Sequence, residues 1–311
     1  MNWKLKVLIQ NTVSWLPYPL NDNIYYRIQK YFGGLKTINP INGFSAGVRM
    51  CENIIKFNRI LDGKTFFEVG TGRRLNVPLV FWLLGADKTI TVDINKYLIK
   101  ELIKKDINYI NENQKEIKNL FKGLNLYQDR FQKLIELNQT SWDIEDLLQL
   151  CNIEYFALGD AANVDIENNC VDFHISNTVF EHIPPNMLRS ILQEGNRVVN
   201  KDGLFIHAID FGDHFCHADK SISSINMLQF SDKEWNRYVN NKYMYMNRLR
   251  IDDFINLYQS LNHKIISIES VKEKNILDLL EKNSLVINKK FKNKSKDILS
   301  TTSSWIVTEK I

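Results

Sequence analysis

Long hydrophobic runs are missing from this chain of 311 residues: nowhere do 18 apolar residues follow one another, so no membrane-spanning helix is expected. Paired cysteines are missing too. The four present, Cys51, Cys151, Cys170 and Cys216, contain no C-x-x-C spacing, which excludes a zinc ribbon or a disulfide frame and reads as reduced thiols in a cytoplasmic protein. Nor is there an excess of one charge. Forty Lys and Arg against 36 Asp and Glu leave +4 at pH 7, so nothing calls for nucleic acid or another polyanion. The first residues, MNWKLKVLIQNTVSWLP, place Lys4 and Lys6 before apolar positions, but Gln10, Asn11 and Ser14 interrupt the run, and no signal peptide is expected. The segment reads instead as an amphipathic helix packed on its own domain, with peripheral contact to a membrane or partner left open. What is present is 44% hydrophobic content, enough for one sizeable α/β core with additions.

The most informative stretch is Phe66–Asp93, FFEVGTGRRLNVPLVFWLLGADKTITVD. An apolar strand (65–69) enters a glycine turn, Gly70-Thr71-Gly72. A helical apolar pattern and a second strand (89–92) follow, and the second strand ends in Asp93. This is the strand, glycine turn, helix, strand and acid order of a nucleotide-binding α/β half. The two glycines let the backbone turn sharply and approach a ligand. Asp93, 21 residues after Gly72, stands where a ribose would offer two hydroxyls. A nicotinamide-binding turn would carry a third glycine. Arg73, Arg74 and Leu75 stand there instead, which weakens a dinucleotide reading, and Glu68 before the turn would repel a pyrophosphate but suits a cationic amino-acid group.

These residues resemble the class I S-adenosylmethionine-dependent methyltransferases, whose first motif is an acid-x-Gly-x-Gly (Glu68, Gly70, Gly72) and whose ribose acid is matched by Asp93. Tyr155–Ala161 (YFALGDA) is similar to the third strand and adenine loop of that family, and Val171–Pro184 (VDFHISNTVFEHIP) to its fourth strand. The resemblance covers about 61–210 and implies a Rossmann-like three-layer sandwich, α/β, with a seven-stranded mostly parallel sheet. It also implies S-adenosylmethionine as cofactor, held by Glu68, Gly70, Thr71, Gly72, Asp93, Ile94, Asp160, Ala161 and Asn177. Two late strands, 263–269 and 303–310, fit the antiparallel ending of such a sheet, which a plain dinucleotide-binding domain lacks.

Residues 1–59 read as a helical, aromatic-rich leader (Trp15, Tyr18, Tyr25, Tyr26, Tyr31, Phe32), either a lid on the cofactor cleft or a plain cap, and 60–311 as the methyltransferase domain. Between its second and third strands, 96–150 is a long insertion whose apolar spacing predicts two or three helices. The segment 210–260 is the expected acceptor region. After the fifth strand, Asp210-Phe211-Gly212-Asp213-His214-Phe215-Cys216-His217-Ala218-Asp219 packs three acids and two histidines into ten residues. Methyl transfer to a hydroxyl needs the oxygen in line with the donor methyl and its proton removed. His214 is the first candidate base, with His217 the second and Asp210 or Asp213 either orienting the base or holding a divalent ion beside the acceptor oxygen. No metal is assigned.

His182, Asp213, Tyr245, Arg248 and Arg250 are the expected acceptor contacts, although His182 is read first as a brace for the cofactor loop. The absence of an N-P-P-Y sequence after Asn177 argues against methylation of nucleobase amines. The VPxxxWLLGA, DHFxHxDxSIS and NRLR segments resemble methyltransferases encoded among bacterial surface-polysaccharide genes, implying O-methylation of a sugar hydroxyl on a glycan or its nucleotide- or lipid-linked precursor. A quinone, lipid or other small-molecule acceptor, a nicotinamide-dependent oxidoreductase and a non-catalytic cofactor-binding subunit are the rival readings. Oligomeric state is not legible.

Overall fold

The computed structural model describes residues 1–17, 19–36 and 39–311; Tyr18 of the leader lies outside them. Three helices come first: α1 (Trp3–Ser14), α2 (Leu20–Phe32) and α3 (Ile41–Lys56). The alternating core follows as β1 (Thr65–Val69), α4 (Asn76–Leu83) and β2 (Lys88–Asp93). The insertion forms α5 (Lys100–Glu112), α6 (Gln114–Leu120), α7 (Gln128–Asn138) and α8 (Ile144–Leu150) before β3 (Ile153–Ala157). Then come β4 (Val171–Asn177), α9 (Pro185–Val198), β5 (Val199–Asp210), α10 (Asp232–Val239) and α11 (Ile251–Gln259). The chain closes with β6 (His263–Lys272), α12 (Lys274–Glu281), α13 (Lys296–Ser300) and β7 (Thr301–Lys310).

Among the described residues, seven strands form one sheet in the order β3-β2-β1-β4-β5-β7-β6. The first five are parallel, and β7 inserts antiparallel between β5 and β6. Parallel strands buried on both faces read as near-continuous apolar runs, and here successive residues divide between two cores. Phe66, Phe173, Leu204, Ile206 and Val307 face one side with α3, α4 and α5–α8. Phe67, Ile90, Phe205, Ile209 and Ile306 face the other with α9 and α11. The sheet and topology are those expected from the sequence. The insertion has four helices rather than two or three, because Asn113 breaks its first long pattern into α5 and α6. Its Ile103, Ile107, Ile110, Phe131 and Leu134 join α3 and α4 in one core instead of closing a core of their own.

A third apolar cluster stands apart. Trp3 and Val7 of α1 meet Phe215, Trp235, Met244, Met246, Ile276 and Phe291. The leader is thereby tied to the segment after β5, with the backbone amide of Trp3 donating to Asp219 at 2.9 Å. β1 is the point where the strand order reverses, β2 and β3 lying to one side and β4 and β5 to the other. Open α/β sheets bind ligands beyond the carboxyl ends of strands at such a point.

Candidate active site

A cleft of about 460 Å³ lies at that place, lined by Val69, Gly70 and Gly72 after β1, Asp93 and Ile94 after β2, and Asp160 and Ala161 after β3. Gly70 has φ +88° and Gly72 φ +68°. At Gly70 an added Cβ would also stand 2.5 Å from a methyl of Val179, so the turn needs glycine on both counts. The turn and the ribose-acid candidate are locked together. Asp93 Oδ2 accepts from the Gly72 amide at 2.9 Å and Oδ1 from the Asn95 amide at 3.3 Å, while the Gly159 amide donates to the Asp93 carbonyl at 3.0 Å. Burial raises the Asp93 carboxyl, against relief from those amides. Each oxygen keeps a lone-pair direction for a ligand hydroxyl.

Glu68 is not in the cleft wall. It lies buried beneath the turn, where Thr91 donates to it at 2.6 Å and Thr91 in turn pairs with Thr71 at 2.5 Å. Burial pushes its carboxyl up to about 8. Glu68, expected to meet an amino-acid tail through water or a turn amide, instead supports the turn from below through Thr91, and Thr71 shares that supporting role. Arg74 likewise explains the missing third glycine in this chain: its guanidinium pairs with the buried Asp106 of α5, clamping the turn to the insertion.

The far wall comes from the segments after β4 and α10. Thr178, Val179, His182, Ile183, Met187, Tyr243 and Tyr245 line it. Thr178 has φ +52°, costly for a β-branched residue. It is held there by its amide on the Ala208 carbonyl at 2.8 Å and its hydroxyl on the Asn177 carbonyl at 2.8 Å. Asn177 itself turns away into a neighbouring cleft of about 370 Å³, which Thr178 also borders. That second cleft is lined by Asp210, His217, Ser224, Glu273, Ser303, Ser304 and Trp305. The leader reaches the rim as well, Tyr25 of α2 stacking on Tyr243 at 3.8 Å between ring centres. A broader groove of about 880 Å³ between α5 and α6 has a Lys-, Glu- and Asn-rich lining and shares no residue with either cleft.

The histidine-rich segment after β5 converges with the segment after β4. His214 Nε2 stands 3.3 Å from Asp210 Oδ2, and the rings of His182 and His217 lie 4.9 and 5.6 Å from that of His214. Burial alone would raise Asp210, but His214 and the Gly212 amide outweigh it and hold the carboxyl below its ordinary value. Burial, and then the neighbouring His214, lower both His182 and His217, which favours neutral imidazoles able to accept a proton. His182 Nδ1 donates to the Tyr245 carbonyl at 2.7 Å, so Nε2 keeps its lone pair.

Three expected acceptor contacts are corrected. Asp213 is fully buried, accepting from the Phe215 amide at 2.9 Å and from Asn226 at 3.0 Å. Arg248 donates to the carbonyls of Met227 and Phe230 and pairs with Asp232, and Arg250 donates to the carbonyls of Phe211, Leu299 and Thr301. Both guanidiniums are consumed by the frame. Conversely, Tyr97, Lys242 and Tyr243 line the cleft without having been singled out as contacts. Tyr97 follows Asp93 by a loop that carries no motif, and it is placed by its amide on the Tyr155 hydroxyl, 3.0 Å, and by Asn95 donating to its hydroxyl at 2.9 Å.

Residues 67–207 match the family model described as a methyltransferase domain. The matched span runs from β1 to β5 and so contains the glycine turn, Asp93, the loop after β3 and the Glu181-His182 pair. With that sheet and cleft, the chain carries a methyltransferase domain on a Rossmann-like fold and is an enzyme whose methyl donor is S-adenosylmethionine. Among solved structures it is similar to the PH0226 protein of Pyrococcus horikoshii OT3, at 14% identity over 92% of this chain and 98% of that one, TM-score 0.49. It is similar also to geranyl diphosphate C-methyltransferase of Streptomyces coelicolor A3(2), at 10% identity over 86% and 79%, TM-score 0.45. A putative methyltransferase of Bacillus halodurans C-125 gives 12% identity over 84% and 98%, TM-score 0.44. Likeness at this level carries no inference about the acceptor. No curated protein matches the sequence closely enough to count as a relative. No helix of the described residues is long and apolar enough to cross a membrane.

Proposed function

We propose that the protein transfers the methyl group of S-adenosylmethionine to a hydroxyl oxygen, with a sugar of a glycan or of its nucleotide- or lipid-linked precursor as the acceptor. The observation that carries this reading is the position of the Asp210–His214–His217 cluster: Asp210 and His217 line the second cleft, which meets the cofactor cleft at Thr178. In the cofactor cleft, Asp93 takes the ribose hydroxyls, Asp160 and the Ala161 amide the adenine edge, and the Gly70–Gly72 turn the methionine portion. The second cleft is rich in hydroxyl, amide and carboxylate groups, with Asn177, Ser224, Glu273, Thr302, Ser303 and Ser304 sharing its wall with Trp305. Such a lining offers many partners to a polyhydroxyl acceptor and few to a flat apolar one. Transfer is a single displacement: the acceptor oxygen bonds to the methyl carbon as the carbon–sulfur bond breaks, and S-adenosylhomocysteine leaves. The hydroxyl proton passes to the histidine cluster, His214 first, with Asp210 stabilising the charge that forms.

The test is label transfer from methyl-labelled S-adenosylmethionine into fractionated cell glycans and lipids. The expected product is a base-stable methyl ether in a sugar-containing fraction. Label appearing as N-methyl, as C-methyl or only in sugar-free lipid would overturn the assignment. His214→Ala should lower turnover by about 10²–10⁴-fold, the share a positioned base supplies, while calorimetric affinity for S-adenosylhomocysteine stays unchanged.

A further inference from the structure

Glu181 is 3% exposed, and neither of its carboxylate oxygens has a hydrogen-bond partner. Burial, eased by the nearby amides of Glu181 and Asp210, drives its carboxyl well above the ordinary range, yet neither amide meets it in hydrogen-bonding geometry. A buried acid with no donor is costly, and proteins leave such a group only where something else completes it. What lies beside it is two imidazoles. Glu181, His182 and His214 each offer a donor atom, all within 4.8 Å of one another. In a tetrahedral site with bonds of 2.0–2.2 Å, ligand atoms stand about 3.4 Å apart, a distance that small side-chain rotations reach from this arrangement.

We propose that Glu181, His182 and His214 bind a divalent transition-metal ion. The donor set decides the kind of ion: two imidazoles and one carboxylate suit zinc and its neighbours, whereas magnesium prefers oxygen ligands. Features around the three residues fit ligands held for that purpose. His182 gives Nδ1–H to the Tyr245 carbonyl at 2.7 Å, which fixes the ring and leaves Nε2 for an ion. His214 is held by Asp210 at 3.3 Å, the carboxylate–histidine contact that orients metal-bound imidazoles elsewhere. Asp210, His214 and His217 form a second grouping of the same size, but it lacks a buried oxygen without a partner, so the Glu181 grouping is the one that an ion completes. Three protein ligands leave a fourth position open, as in catalytic rather than structural sites.

Resting on the acceptor reading above, that open position takes the acceptor hydroxyl, because His182 lines the cofactor cleft and Asp210 the cleft beside it. With the ion bound, His214 would serve as a ligand, the ion's charge would make the hydroxyl more acidic, and the proton would pass to His217, the imidazole of the cluster that lines the second cleft.

The test uses the untagged full-length protein, stripped with a chelator and titrated calorimetrically with Zn²⁺ alone, alongside Co²⁺ loading followed by visible absorption. The expected result is one equivalent of Zn²⁺ bound, a Co²⁺ spectrum of low coordination number, and at least a tenfold weaker affinity in Glu181→Gln. Should Glu181→Gln fail to fold, judged by its binding of S-adenosylhomocysteine, His214→Asn gives the same readout from a less buried position, 20% exposed. Absence of stoichiometric binding, or affinity unchanged in the folded variants, overturns the site. Label transfer measured on the same samples keeps the two readings apart. Full methyl transfer in stripped protein that binds no ion removes the metal and leaves the hydroxyl chemistry, whereas Zn²⁺ binding without O-methylation supports the metal and counts against the acceptor.

Discussion

Arg250 has no exposed surface, and burial lowers its guanidinium to about 10, still charged at neutral pH. Its donors reach the Phe211 carbonyl at 2.7 Å and the Leu299 carbonyl at 3.0 Å, with Thr301 besides. One side chain therefore binds the end of β5 to the start of β7. Replacing it with methionine strands several buried carbonyls at once, each worth about 1–3 kcal/mol when left without a donor. Arg250→Met should lower unfolding stability by several kcal/mol in urea titrations while the folded fraction binds S-adenosylhomocysteine as before. A variant of normal stability and impaired acceptor turnover would instead restore the arginine to the site. Asp93→Ala should weaken S-adenosylhomocysteine binding by about 1–3 kcal/mol, and unchanged calorimetric affinity would remove its ribose role. The sequence separates these residues poorly. Asp93 follows a strand at a spacing with one common meaning, whereas a charged residue in an aromatic tract is equally compatible with solvent and with a buried role. What decides between them is long-range contact, such as that of Arg250 with residues about fifty positions away.

At the scale of elements, the glycine turn joins sequence to site most directly. Strands, helices and their order were legible because period-2 and period-3.6 patterns are local, and because the turn and its acid come from adjacent elements. The packing of the insertion on α3 and α4 was not, since nothing local says which surface an amphipathic helix covers. Nor did any pattern announce that Val179, 109 positions away, seals the turn at Gly70. Gly70→Ala meets two penalties, the positive φ, about 1 kcal/mol, and the clash with Val179, about 1–3 kcal/mol as for other overpacked cores. The double variant Gly70→Ala/Val179→Ala should recover much of the second and none of the first. Thermal midpoints would show this as partial rescue. Full rescue, or none, would mean that only one of the two constraints operates.

For the whole molecule, two sets of buried titratable groups bend stability in opposite directions with pH. On the acid side stand three imidazoles in the second core. His174 and His207 pair at 2.9 Å, His207 meets the Tyr258 hydroxyl at 2.5 Å, and His263 meets Thr308 at 2.8 Å. Burial lowers His174 to about 3, His263 to about 4 and His207 well below its usual value. These rings stay neutral in the fold while the unfolded chain takes up protons from about pH 6.5 downward, so their contribution is complete above that pH and is lost on acidification. Glu68 acts with the reverse sign. It stays protonated in the fold up to about 8, whereas the unfolded chain ionises it from about 4.3. Its contribution is complete at low pH and is lost as pH rises toward 8. The cofactor-free protein should therefore be most stable in mildly acidic solution. In urea titrations between pH 4 and 8.5, Glu68→Gln keeps an acceptor for Thr91 and removes the titration. Relative to that variant, the wild type should lose up to about 1.4 kcal/mol per pH unit between the two values. Parallel pH profiles for the two proteins would show that Glu68 is ionised in the fold, and that the turn rests on a charged carboxylate instead of a neutral acid.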